Sequence, residues 1–139
     1  MEHKAGVNAG PPADYGRTAL QAASEGGHLE VVKLLLEHGA DVNAGAADNL
    51  GRTALQAASK GGHLEVVKLL FEHKADVNAG PASWGGETAL QAASGGGHLE
   101  VVKLLLEHKA DVNARPAKRF GKTALQAAYY RGHLDIATL

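Results

Sequence analysis

Apolar positions along the chain alternate between a short alanine-rich block and a longer leucine- and valine-rich one. Ala19-Leu20-Gln21-Ala22-Ala23 forms the first block. After Gly26-Gly27 comes the second, in which Leu29, Val32, Leu35 and Leu36 fall at helical spacing. The pattern predicts a first helix from Ala19 to about Ser24, capped by Thr18, and a second from about His28 to His38. Val31 and Leu34 widen the apolar face of the second helix, and a helix apolar over so wide an arc must be covered on more than one side. On its wet face, Lys33 is expected to pair with both Glu30 and Glu37. Gly39-Ala40-Asp41-Val42-Asn43 ends the second helix, and a Gly/Ala/Pro-rich loop follows. Gly39 stands where the chain is expected to turn left-handed. Lys74 and Lys109 hold that place in later copies.

The pattern repeats. Gly-x-Thr-Ala-Leu-Gln-Ala-Ala begins at Gly16, Gly51, Gly86 and Gly121, always 35 residues apart. Full units run 16–50, 51–85 and 86–120, and a partial unit runs 121–139. Residues 1–15 are in phase with the tail of a preceding unit, since Glu2-His3-Lys4-Ala5 aligns with Glu37-His38-Gly39-Ala40. Such a chain is expected to be one all-α domain in which neighbouring units cover each other's helices.

Composition narrows the function. Lys and Arg number 14 and Asp and Glu 15 in 139 residues, a balance that speaks against a nucleic-acid binder or an acidic tail. With 45% hydrophobic and 21% charged residues the chain has the make-up of a globular protein. It holds no cysteine, so disulfides, thiol nucleophiles and Cys-based metal sites are excluded. The opening MEHKAGVNAG lacks the apolar core of a signal peptide, and Lys33, Lys68 and Lys103 interrupt the longest apolar runs. A cytoplasmic or other intracellular location and no membrane association are therefore expected.

GRTALQAASEGGHLEVVKLLLEHGADVNA resembles the ankyrin repeat, G-x-T-P-L-H-x-A-A-x-x-G-H-x-x-V-V-x-L-L-L-x-x-G-A-D-V-N, and the resemblance covers essentially the whole chain. It implies an all-α helix-turn-helix solenoid with hairpin-like loop fingers. Two features depart from the family. The period is 35 where 33 is usual, which should lengthen the finger. Ala19-Leu20-Gln21 and its copies replace Pro-Leu-His, so the preset φ of proline is lost, while Gln retains a donor and an acceptor where the family uses His.

Compared with one another, the three full units differ at nine of their 35 positions: 2, 10, 21, 24, 30, 31, 33, 34 and 35 from the leading Gly. Six of these lie in or beside the loop, and position 10 is near the end of the first helix. The resemblance implies that loop fingers and first helices form a concave binding face. The candidate partner-binding residues are therefore Tyr15, Arg17, Asn49, Leu50, Arg52, Lys60, Ser83, Trp84, Glu87, Lys118, Arg119, Phe120, Lys122, Tyr129 and Tyr130. Five of the six aromatics occupy such places, and Tyr, Trp and Arg dominate interface hot spots. On successive fingers they would be roughly 8–10 Å apart by helix-packing distance. The competing reading is that each aromatic covers its own finger tip or helix end. Phe71, which replaces Leu36 and Leu106, is expected in the core. Arg115, Lys118, Arg119, Lys122 and Arg131, with no acid between 115 and 134, form a basic patch suited to an acidic partner segment.

No constellation for chemistry emerges. His28, His63, His98 and His133 follow the glycine pairs, while His3, His38, His73 and His108 lie at the far end of the second helix. Within a unit they are ten residues apart, too far along a helix to share a metal. The histidines are expected to be structural, and no cofactor or metal is expected. No nucleophile elbow, phosphate loop or dinucleotide fingerprint is present. The resemblance further implies asparaginyl hydroxylation at Asn43, Asn78 and Asn113, each with Leu35, Leu70 or Leu105 upstream; hydrogen bonding within the loop is the plainer role for these side chains.

The resulting expectation is a non-enzymatic scaffold binding a protein partner. The alternative is a self-stacking or stability array with no chosen partner. The near-identity of the units points to an engineered or excised array or a recent duplication. Neither end carries a polar cap, so end-to-end association through the termini is expected.

Overall fold

The computed structural model describes residues 18–45, 52–80, 87–114, 123 and 125. Six helices are found among them and no strand: α1 (Ala19–Gly26), α2 (Leu29–Glu37), α3 (Ala54–Gly61), α4 (Leu64–Glu72), α5 (Ala89–Gly96) and α6 (Leu99–Glu107). Each described unit contributes a helix of eight residues followed by one of nine that packs against it, and α1, α3 and α5 pack on one another in sequence. The two-helix unit is thus as the periodicity predicts. The first helix runs two residues further than expected, because Gly27 and not Gly26 takes the left-handed cap at φ 72°. The finger tips at 46–51, 81–86 and 115–122 lie outside the described residues.

Glutamine explains how the first helix starts without proline. The Thr18 hydroxyl accepts from the Gln21 amide at 3.1 Å, and the Thr18 amide donates to Gln21 Oε1 at 2.8 Å. This capping box recurs at Thr53/Gln56 and Thr88/Gln91. The remaining amide nitrogen is also used: Gln21 Nε2 donates to Ala44 O at 3.2 Å and Gly45 O at 2.9 Å. One buried side chain therefore caps the helix and holds the loop at the base of the finger.

The glycine pairs are explained by the histidines. His63 Nε2 lies 3.0 Å from Glu25 O, and His98 Nε2 lies 3.0 Å from Lys60 O, so each ring reaches the preceding unit. A Cβ on Gly27 would stand 2.5 Å from His63 Nδ1, and one on Gly26 would stand 2.5 Å from His28 Nε2. At Gly27 glycine serves for room as well as for the left-handed turn. These histidines are structural, as the sequence suggests.

The core is a row of near-identical layers. Leu20, Leu55 and Leu90 are buried, as are Val32, Val67 and Val102; Leu70 and Leu105 are buried where Leu35 is partly so, and Leu36 is buried in the first unit. Neighbours cover both sides of the second helix where neighbours are described. Val66 is 2% exposed against 49% for Val31, its equivalent in the first unit. Ala54, Ala57, Ala89 and Ala92 are likewise buried where Ala19 and Ala22 are exposed. On the outer face Lys33, Lys68 and Lys103 pair with Glu30, Glu65 and Glu100 at 4.0, 3.5 and 3.7 Å. Lys33 reaches back to Glu30 and not forward to Glu37, which corrects the double pairing expected. Such exposed pairs contribute well under about 1 kcal/mol each.

Candidate interaction surface

Of the fifteen residues assigned to a binding face, Arg52, Lys60 and Glu87 are described. The remaining twelve, Tyr15, Arg17, Asn49, Leu50, Ser83, Trp84, Lys118, Arg119, Phe120, Lys122, Tyr129 and Tyr130, lie outside the described residues, as do Arg115 and Arg131 of the basic patch.

Arg52 immediately precedes the capping residue Thr53, Glu87 immediately precedes Thr88, and Lys60 sits in the last turn of α3. The stacking of first helices brings the three together. Lys60 Nζ donates to Glu87 Oε1 at 2.8 Å. Arg52 lies between two carboxylates, with Nη1 3.9 Å from Glu25 Oε1 and Nη2 3.9 Å from Glu87 Oε1. Its Nε is buried without a hydrogen-bond partner. Four charges from three units thus form one connected strip of alternating sign. The side chain of Glu87 is 19% exposed and that of Arg52 27%, so water screens these contacts less than those on the outer face.

Glu25 belongs to the strip but was absent from the residues singled out by sequence. The signal for it was available: it holds the tenth position of its unit, the place of Lys60 and Tyr130.

The asparagines are clasps between units. Asn43 Nδ2 donates to Lys74 O at 3.1 Å, and its Oδ1 accepts from the Asp76 amide at 2.7 Å. Asn78 repeats this with Lys109 O at 3.2 Å and the Asp111 amide at 2.8 Å. The amide of each asparagine is held in turn by an aspartate two residues earlier, Asp41, Asp76 or Asp111. Among the described residues no group of three His, Cys, Asp or Glu side chains comes together.

A family model described as ankyrin repeats (3 copies) matches residues 2–81 and again 79–139. The chain belongs to the ankyrin-repeat family. Ankyrin repeats are in general protein–protein interaction modules and typically non-enzymatic scaffolds. No curated protein matches this ankyrin-repeat chain significantly. No described helix is long and apolar enough to cross a membrane.

Proposed function

We propose that this ankyrin-repeat chain binds a protein partner noncovalently through its first helices and loop fingers. The observation that carries the reading is where the units differ. With the exception of position 21, which is Leu or Phe, the positions that pack, cap and clasp are constant, whereas the second, tenth and loop positions change in charge and in aromatic content. Aromatic and arginine side chains on such a face supply binding energy at little entropic cost. The basic residues around Phe120 favour a partner segment of acidic character, and no nucleic acid is expected. An affinity pull-down comparing the chain with one carrying Tyr15→Ala, Trp84→Ala and Phe120→Ala tests the reading. Trp84→Ala alone should cost roughly 2 kcal/mol in binding and little in stability. Equal losses in both would identify Trp84 as a packing residue.

A second reading, end-to-end stacking, is favoured by the exposure of Ala19, Ala22 and Val31 on the face that later units bury. Light scattering over a wide concentration range tests it; a monomeric mass throughout would exclude it. Hydroxylation at Asn43, Asn78 and Asn113 is a separate proposal resting on family resemblance, checked by mass spectrometry of the chain recovered from cells.

A further inference from the structure

Two of the nine variable positions meet across each described junction between units. At the first junction Glu25, tenth in its unit, faces Arg52, second in the next. At the second junction Lys60, again tenth, faces Glu87, again second. The sign reverses on both sides at once: acid against base at the first junction, base against acid at the second. A third contact, Arg52 with Glu87, joins the second positions of adjoining units and is also of opposite sign.

Apart from the uncharged stacking of Phe71 on His108 at the second junction, the rest of the described interface presents each unit with the same neighbour. Leu55 and Leu90, Ala57 and Ala92, Val66 and Val101, Gln56 and Gln91 present the same surface at each junction. So do the histidine contacts and, at both described junctions, the asparagine clasps. Units with interchangeable faces invite stacking out of order and exchange between chains, the failure modes of repeat proteins. Within the helices only positions 10 and 21 vary at all, and position 21 alternates between Leu and Phe without charge. A mismatch of charge at the half-buried second position would set like charges against each other with little screening.

We propose that, at the two described junctions, the second and tenth positions form a matching pair of charges by which a unit selects the ankyrin-type unit that stacks on it; unit 86–120, with Gly95 at the tenth position, lacks this selector. The surface presented by a first helix then accepts a neighbouring repeat of complementary sign and disfavours one of like sign. This selection operates whether or not a separate partner binds.

The test is charge reversal in the full chain, read by thermal and urea unfolding. Single reversals, Glu25→Lys, Arg52→Glu, Lys60→Glu or Glu87→Lys, each set like charges in contact and should lower Tm by roughly 2–4 °C. Reversing all four together restores every contact with its sign inverted and should return Tm to near the native value. At about 1 M salt, where the screening length is near 3 Å, the differences should shrink. A second experiment exchanges the order of units 51–85 and 86–120, which sets Glu25 against Glu87. The exchanged chain should melt lower and less cooperatively. Transplanting the original second and tenth residues into the exchanged order should recover the loss, although Phe71 and the loops stay displaced. Two results would overturn the proposal: single reversals that leave Tm unchanged, or a fully reversed chain that melts no higher than the weakest single variant.

Discussion

Phe71 and His108 stack ring on ring, with centroids 3.8 Å apart and planes 2° from parallel. The two belong to adjoining units, and Nδ1 of His108 is tied at 3.0 Å to Leu104 O in its own helix, which fixes the ring. Phe71 is therefore only partly the core residue its sequence position suggests. It is half-buried against the core and uses one face to hold the next unit. Phe71→Leu, the residue of the other two units, should cost about 1 kcal/mol or less, and a double-mutant cycle with His108→Ala should show a coupling of about 0.5–1.5 kcal/mol by urea unfolding.

Lys74 and Lys109 carry φ of 67° and 66°, the left-handed conformation held by Gly39 at 87° in the first unit. A side chain there adds about 1 kcal/mol of strain that glycine lacks, partly offset because lysine restricts the unfolded chain more. Lys74→Gly and Lys109→Gly should each be neutral or raise stability by up to about 1 kcal/mol. A clear fall in melting temperature for both would contradict this.

Gly27 and Gly39 separate strain from crowding. Both have positive φ, but nothing lies within 4 Å of a Cβ built on Gly39, whereas one on Gly27 strikes the His63 ring. Gly39→Ala should cost about 1 kcal/mol and Gly27→Ala roughly 2–3 kcal/mol or more. Adding His63→Ala to Gly27→Ala should cost less than the sum of the two single changes, as equilibrium unfolding would show.

Ser24 Oγ and Ser59 Oγ are buried without a hydrogen-bond partner. A buried hydroxyl with no partner is unfavourable, and alanine fills nearly the same space. Ser24→Ala and Ser59→Ala should each stabilise the chain by about 1 kcal/mol in chemical denaturation.

The two-helix unit is legible in the sequence because its determinants are local. Thr18 with Gln21 caps α1, Gly27 closes it, and Leu29 to Leu36 set the face of α2. The left-handed turn at Gly39, Lys74 and Lys109 could be read from register alone. What could not be read were contacts whose partners lie a full unit away. His63 and His98 visibly recur after glycine pairs, but the carbonyls they reach, at Glu25 and Lys60, are 38 residues distant. The varying charges at the second and tenth positions were visible one by one. Their pairing depends on how far Arg52 and Lys60 extend across a junction, which no single-unit pattern encodes. Glu30 and Glu37 both lie within helical reach of Lys33, and the geometry selects Glu30.

The clasps formed by Asn43 and Asn78, the histidine contacts and the charged strip all join a unit to its immediate neighbours, and none of them ties the first unit to the third. Mechanically, that makes the chain a row of links in series and not a meshed block. Pulled from its ends, it should yield link by link. Each rupture would pay out about 110 Å of slack, the reach of 35 extended residues less the roughly 10 Å that a stacked unit already spans. A single-molecule trace would then show a regular sawtooth, with the spacing of its teeth set by the repeat.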